Sequence, residues 1–189
     1  MRILQILLLA TIFINAKLSL PTNFITDFHQ TITNDKGKVI KYSGKLYFKQ
    51  DINVYFDEYN QTKELKSQRF KWEYNSPTKK EVCSDGVEIL VIDHDLEQVS
   101  RYLVDDGLDL EKVLRLAEPI SSKDYKAIYK DTEYLTTLDN QNRLKKIFYV
   151  DNLDNSVKII FSNMQYNVPN FQSQNLECPI DPNYDVIEE

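Results

Sequence analysis

The stretch YSGKLYFK, residues 42–49, alternates between two kinds of side chain from one residue to the next. The segment RFKWEY, residues 69–74, repeats this alternation with an aromatic ring at every second position. Such a period of two is typical of a β-strand with one buried face. The face in question carries Tyr42, Gly44, Leu46 and Phe48 in the first segment and Phe70, Trp72 and Tyr74 in the second. The two segments therefore predict a sheet with one aromatic, apolar face.

The rest of the chain contains further short segments rich in β-branched and aromatic residues, separated by polar turns. They are KKEVC (79–83), VEILVI (87–92), LEQVSRYLV (96–104), YKAIY (125–129), TEYLTTL (132–138), RLKKIFYV (143–150) and SVKIIFS (156–162). This spacing is typical of an antiparallel meander. The polar segment 50–68 is compatible with an extended hairpin or with a loop. The tail from Asn167 is expected to run along the surface and to add an edge strand.

One segment, residues 107–119, departs from the period of two. Its apolar residues recur at the helical spacing i, i+3, i+4, i+7, with Asp109 as a capping residue and Pro119 beyond the end. These residues are Leu110, Val113, Leu114 and Ala117. We predict a short amphipathic helix, which is either a crossover covering an end of the sheet or a lid over an opening. The periodicity does not separate these two alternatives.

The first sixteen residues have the pattern of an export signal. Arg2 precedes an apolar run that ends at Ala16. This run is too short for a membrane span, which needs about 20 residues. We predict a cleaved signal peptide at 1–16 and a single domain at 17–189, the alternative being an uncleaved membrane anchor. Without Arg2 the net charge of −6 becomes about −7, and an acidic protein is not expected to bind nucleic acid.

The chain contains two cysteines, Cys83 and Cys178. In an exported protein an even number of cysteines favours a disulfide, and the alternative is two separate thiols. A bond closing so long a loop would stabilise the fold by about 4–5 kcal/mol in the chain-entropy model. We predict that Cys83 and Cys178 are bonded.

The sequence offers little for catalysis or metal binding. Its two histidines, His29 and His94, exclude a site with three histidine ligands. His94 stands between Asp93 and Asp95, which would suit a metal or acid–base site, but no third ligand or nucleophile accompanies them. Short carboxylates are frequent in polar turns, and we interpret the segment as a turn. We therefore predict no catalytic residue, no metal and no cofactor, and a protein that is not an enzyme.

Aromatic residues are frequent: 12 Tyr, 9 Phe and one Trp among 189 residues. A curved sheet whose aromatic inner face is not completely filled would enclose an apolar cavity. Such a cavity suits a hydrophobic ligand such as an acyl chain, because each methylene buried contributes about 0.8 kcal/mol.

Several of these segments, taken in order, resemble a known family. They are FITDFHQ (24–30), YSGKLYFK (42–49), RFKWEYNSP (69–77) and SDGVEILVIDHDLEQV (84–99). Behind a signal peptide, this ordered set is similar to the periplasmic outer-membrane lipoprotein carrier family, LolA. The resemblance implies an unclosed antiparallel β-barrel, a curved sheet with a short helical lid over an apolar cavity. It also implies a carrier that takes lipoproteins from an inner-membrane ABC transporter and delivers their acyl chains to the outer membrane.

The resemblance assigns residues to the cavity and to the lid. Phe70 and Trp72 match the family's F-x-W motif, whose aromatic rings face or border the cavity. The residues that we expect to line it are Phe28, Leu46, Phe48, Phe70, Trp72, Tyr74, Ile89 and Val91. The residues that we expect on the inner face of the lid helix are Leu110, Val113, Leu114 and Ala117.

The chain departs from the family pattern at two places. Only residues 17–23 precede the first motif, so the family's longer N-terminal lid helix is expected to be missing or short. Gln50 stands where the family has an arginine that latches the lid, and segment 50–68 replaces a short link. A weaker latch and a more open cavity follow as a hypothesis, with Arg69 or Lys71 as candidate substitutes.

We therefore expect the protein to act by binding ligands on an apolar surface. The chain is expected to be a periplasmic, monomeric chaperone for lipoproteins, with an outer-membrane acceptor as a further candidate partner and no binding of nucleic acid. The alternative is a periplasmic protein of the same fold that binds lipid or glycolipid, or that senses lipid.

Overall fold

The computed structural model describes residues 18–103 and 109–188. The signal peptide predicted at 1–16 lies outside the described residues. The strands are β1 (Asn23–Thr33), β2 (Val39–Phe56), β3 (Thr62–Ser76), β4 (Lys80–Ser84), β5 (Glu88–Asp93), β6 (Gln98–Leu103), β7 (Glu118–Pro119), β8 (Asp124–Tyr129), β9 (Thr132–Leu138), β10 (Leu144–Val150), β11 (Ser156–Tyr166) and β12 (Asp185–Glu188). The helix α1 spans Leu110–Leu116, and a 3-10 helix spans Ser173–Leu176.

All the described strands belong to one open, curved sheet. Their order is β12-β6-β5-β4-β3-β2-β1-β11-β10-β9-β8-β7, so β12 and β7 are the two edges. Adjacent strands in the sheet pair antiparallel, and only the last described strand, β12, pairs parallel with its neighbour β6. The predicted fold class, mainly β with a curved unclosed sheet and one short helix, is confirmed.

The register of β1, β2 and β3 explains the alternation read from the sequence. Leu46 lies opposite Trp72, and Phe48 lies opposite Phe70, so the apolar residues of both strands share one face. Gly44 lies opposite Phe28 on one side and Tyr74 on the other. A Cβ at Gly44 would overlap the Glu73 carbonyl oxygen, so this close approach requires glycine.

The hydrophobic core lies on this inner face of the sheet. Phe24 and Phe28 of β1 are fully buried at its centre, and Ile147 and Phe161 reach it from β10 and β11. Val113 of α1 belongs to the same cluster. The helix is therefore packed on the inner face of the sheet.

The C-terminal tail joins distant parts of the sheet. After β11 it passes through the 3-10 helix, which contacts β2 and β3, and Cys178 then forms a disulfide with Cys83 of β4, with Cα atoms 6.3 Å apart. The tail ends in β12, which pairs with β6 over residues 185–188. The edge strand expected from the sequence is therefore present.

Segment 50–68 is an extended hairpin, one of the two alternatives left open by the sequence. Pairing between β2 and β3 continues from Gln50 opposite Gln68 to Phe56 opposite Thr62. The tip is closed by Asp57, whose carboxylate accepts hydrogen bonds from the backbone amides of Tyr59 and Gln61, at 3.0 and 2.8 Å. Within the described ranges, no helix is long and apolar enough to cross a membrane.

Candidate functional site

A cavity of about 1020 Å³ lies between the inner face of the sheet and the N-terminal end of α1. Strands β2, β3, β4 and β5 provide most of its wall, and Asp109, Leu110 and Lys112 border it from the helix. Its side chains are mainly aromatic or aliphatic. The apolar ones are Phe24, Leu46, Phe48, Leu65, Phe70, Trp72, Tyr74, Val82, Val87, Ile89, Tyr102, Leu103, Leu110, Tyr149 and Ile159.

Six of the eight residues that we expected to line the cavity do so: Leu46, Phe48, Phe70, Trp72, Tyr74 and Ile89. Phe28 lies behind the wall instead. Its ring is 4.8 Å from that of Trp72 and 5.0 Å from that of Tyr74, both edge to face, so these rings separate it from the open space. Val91 also lies outside the lining, although it pairs with the wall residue Val82.

Further wall residues come from parts of the chain that sequence reasoning did not connect to the cavity. Phe24 of β1, Tyr149 of β10 and Ile159 of β11 line it, as do residues 65–68 at the base of the hairpin. The two-residue period marked Tyr149 and Ile159 as strand residues. The period does not indicate the order of the strands in the sheet. The observed order places β11 beside β1, and this brings Tyr149 and Ile159 to the cavity.

The helix α1 presents its apolar side to the core. Asp109 caps its N-terminus by accepting a hydrogen bond from the backbone amide of Lys112, at 2.9 Å. Val113 and Leu114 are buried, with 0% and 3% of their surfaces exposed. Leu110 borders the cavity, and Ala117 follows the last turn. Of the two alternatives for this segment, a helix over an opening agrees better with this position.

A cluster of three polar side chains, Gln50, Gln68 and Glu111, connects the helix to the base of the hairpin. The side-chain amides of Gln50 and Gln68 both donate to Oε2 of Glu111 on α1, the first at 3.0 Å. We call this cluster the amide latch. Arg69 and Lys71, the substitutes suggested by the sequence, are instead paired with Asp51 and Glu81, at 2.7 and 3.0 Å.

Two tyrosines of the cavity wall have pKa values well above the ordinary value. Burial raises the pKa of Tyr74 well above its usual range, and the neighbouring Tyr149 and Tyr42 raise it further. Burial also raises the pKa of Tyr149 to about 12, with smaller contributions from Tyr134 and Asp151. The apolar surroundings of both hydroxyls therefore disfavour the charged phenolate in the cavity wall.

The shifted tyrosines predict a loss of stability in alkali. The folded-state pKa of Tyr149 lies above its unfolded value of about 10, so the unfolded state loses its proton first. The stabilisation is complete below pH 10 and is lost as the pH rises through 12, by about 2 kcal/mol at pH 12 for Tyr149 alone. Urea unfolding between pH 8 and 12 measures this fall. Tyr149→Phe is expected to make it shallower, and an identical pH dependence in this variant would contradict the assignment.

The segment around His94 is a polar turn. The carboxylate of Asp93 accepts hydrogen bonds from the backbone amides of Asp95 and Leu96, at 3.2 and 3.1 Å. Nδ1 of His94 lies 3.1 Å from the hydroxyl of Tyr184 in the C-terminal tail. These contacts connect a turn to the tail.

One group of potential metal-binding atoms occurs among the described residues, at Glu81, Cys83 and Cys178. The two sulfur atoms are bonded to each other. They therefore offer no thiolate, which is the form of cysteine that binds metals.

An open curved sheet with a helix packed over an apolar cavity defines a class of proteins that hold hydrophobic ligands. The family model described as outer membrane lipoprotein carrier protein LolA matches residues 21–173, and this chain belongs to that family. The resemblance read from the sequence motifs is thereby confirmed. Members of this family are carrier proteins rather than enzymes. Membership supports a lipoprotein-carrier role in the broad sense and a periplasmic location.

The relatives named outer-membrane lipoprotein carrier protein include proteins from Wolinella succinogenes and Campylobacter jejuni. The one from Wolinella succinogenes is 28% identical over 145 residues, which are 77% of this chain and 75% of the relative. The one from Campylobacter jejuni is 29% identical over 179 residues, which are 93% of this chain and 94% of the relative.

Two solved structures are also similar. A LolA superfamily protein from Nitrosomonas europaea has a TM-score of 0.46 at 10% identity, over 85% of this chain and 92% of that protein. A DUF1329 family protein from Desulfovibrio piger has a TM-score of 0.48 at 14% identity, over 83% of this chain and 90% of that protein.

Proposed function

We propose that this chain binds the acyl chains of lipoproteins in the cavity beneath α1 and carries them from the inner to the outer membrane. The observation that supports this most is the cavity itself, about 1020 Å³ in volume, with Phe48, Phe70 and Trp72 in its wall. Each methylene that leaves water for such a wall stabilises the complex by about 0.8 kcal/mol. Burial of a substantial part of each acyl chain would therefore hold a lipoprotein.

The proposed route is the one that the resemblance to the family implies. The carrier receives its cargo from a lipoprotein-releasing ABC transporter of the inner membrane. It delivers the cargo to the outer membrane, directly or through an acceptor. We place this monomeric carrier in the periplasm, as a single domain 17–189 left by cleavage of a signal peptide at 1–16. Its ligand is the lipoprotein, without a cofactor or nucleic acid.

Loading requires the helix to move or the cavity to widen. Val113 and Leu114 are packed in the core, and Leu110 borders the open space. Acyl chains that enter would compete with these side chains for the same apolar wall. The two arrangements must differ by only a few kcal/mol, since otherwise cargo would either fail to load or fail to leave.

The amide latch is expected to control how readily the helix yields. Glu111→Ala removes the acceptor shared by Gln50 and Gln68, and a hydrogen bond to a charged group contributes about 1.5–3 kcal/mol. We expect faster binding of lauric acid, several-fold by stopped-flow fluorescence of Trp72, and a lower free energy of unfolding. Glu118→Ala, which removes an exposed acid just beyond the helix, is the matched control. Equal binding rates in Glu111→Ala and wild type would show that the latch does not restrain the helix.

A release assay tests the proposed function. Inner-membrane vesicles that contain lipoproteins and the transporter are given ATP, with or without the purified protein. We expect lipoprotein in the soluble fraction only when the protein is present, in a complex with it. Release of free lipid without lipoprotein would favour the lipid-binding alternative, and no release would contradict a carrier.

A further inference from the structure

The hairpin formed by β2 and β3 extends beyond the rest of the sheet. Pairing of β2 with β1 ends at Lys49, and pairing of β3 with β4 ends at Phe70. Beyond these points, among the described residues, each strand has only the other as its partner in the sheet. We call residues 51–67 the free hairpin. A two-stranded ribbon with no third strand has no core of its own, so its side chains are open to solvent.

Three large apolar side chains stand in a row on one face of the free hairpin. Ile52, Val54 and Phe56 are 49%, 60% and 68% exposed. Because side chains alternate between faces, this row continues the face of Leu46 and Phe48, which is the inner face of the sheet. We call Ile52, Val54 and Phe56 the outer strip.

The outer strip begins just beyond the amide latch, next to the cavity. On β2, Leu46 and Phe48 line the cavity, and the amide latch residue Gln50 separates them from Ile52. On β3, the residues opposite the start of the strip, 65–68, are themselves part of the cavity wall. A ligand that leaves the cavity along the inner face therefore meets the outer strip next.

The dimensions of the outer strip suit a single extended hydrocarbon chain. Ile52 and Phe56 are four residues apart, about 13 Å along a strand. One leaflet of a bilayer, half of a hydrocarbon core of about 30 Å, is about 15 Å deep. The strip is one side chain wide, because the cross-strand partners of its residues are Lys66, Glu64 and Thr62. The long aliphatic stem of Lys66 can flank a chain while its ammonium group remains in water.

We infer that the outer strip is a second acyl-chain site, which holds one chain of the cargo where it emerges from the cavity. This inference rests on the proposed function. A membrane surface suits the free hairpin less well, because its tip carries Asp57 and Glu58, which anionic headgroups would repel. A protein partner would be expected to need a wider apolar patch than a single file of side chains.

The test compares two neighbouring substitutions on opposite faces of the free hairpin. Val54→Asp places a charge in the outer strip, and Tyr55→Asp places one on the other face at a similar exposure, 51% for Tyr55. Trp72, the only tryptophan, lies in the cavity wall, so its fluorescence reports entry of a ligand there. The probes are lauric acid, a single short chain, and a synthetic tripalmitoylated lipopeptide.

Val54→Asp is expected to bind the lipopeptide about tenfold more weakly than wild type and to bind lauric acid unchanged. Tyr55→Asp is expected to match wild type with both probes. Equal lipopeptide affinity in Val54→Asp and wild type would overturn the second site while the cavity stands. Equal weakening by Tyr55→Asp would assign the effect to charge alone and also overturn it. If Val54→Asp binds the lipopeptide like wild type but binds phosphatidylglycerol vesicles more weakly, the strip contacts the membrane and the second acyl-chain site is overturned. Failure of wild type to bind either probe would reject the proposed function itself.

Discussion

Trp72→Glu is expected to abolish cargo binding, with at least a hundredfold loss of affinity for a tripalmitoylated lipopeptide. Trp72 lines the cavity and contacts Phe28 and Phe161 with its ring. A carboxylate in this wall would have to stay unpaired beside acyl chains or take up a proton, and both cost free energy. A hundredfold loss corresponds to about 3 kcal/mol. Co-sedimentation with radiolabelled lipopeptide measures it without relying on tryptophan fluorescence.

The matched control is Trp72→Phe, which keeps an apolar ring and is expected to retain most of the affinity. Circular dichroism of both variants checks that the sheet is intact, since Trp72 is only partly buried at the edge of the core. A folded Trp72→Glu protein that binds the lipopeptide as well as wild type does would mean that the acyl chains lie elsewhere.

Removal of the Cys83–Cys178 disulfide is expected to cost about 4 kcal/mol of folding stability. The bond joins residues 95 positions apart, and in the chain-entropy model a loop of that length corresponds to 4–5 kcal/mol. It also holds the tail that places β12 along β6. Urea unfolding of the double variant Cys83→Ser/Cys178→Ser measures the loss.

Dithiothreitol provides an independent control for the disulfide. Reduced wild type is expected to unfold at the same urea concentration as the double variant, and the double variant is expected not to respond to dithiothreitol. If reduction leaves the unfolding midpoint of wild type unchanged, the two cysteines are not bonded in the protein.

Much of the sheet could be predicted because its signal is local. The alternation in residues 42–49 and 69–74 requires one buried face, and the register of β2 with β3 brings Leu46 opposite Trp72 and Phe48 opposite Phe70 as that pattern suggests. The helix was also predictable, since Asp109 and the spacing of Val113 and Leu114 indicate its start and its buried side. These features depend on residues a few positions apart.

The candidate site was less predictable because it depends on strand order and on distances across the sheet. Phe28 alternates like a wall residue, but Trp72 and Tyr74 cover it. Ile159 reaches the cavity only because β11 lies beside β1. The amide latch joins Gln50, Gln68 and Glu111 from three separate elements, and nothing in the sequence near Gln50 indicates these partners.

The two alternatives for segment 50–68 differ in their consequences for ligand binding. In a loop, the side chains of Ile52, Val54 and Phe56 would not all point to the same face. A hairpin in register with the sheet places all three on the cavity side. Strand pairing therefore explains why this segment is long. Its polar composition alone did not indicate that pairing.

Native mass spectrometry of the protein purified from the periplasm of the cells that produce it tests the central claim most directly. The proposal predicts a one-to-one complex whose added mass is that of a lipoprotein, and whose collisional dissociation releases an acylated polypeptide. The same measurement on Trp72→Glu is expected to give the empty protein. A wild-type protein that carries only free lipid or glycolipid, or that is always empty while lipoproteins are being exported, would contradict the account.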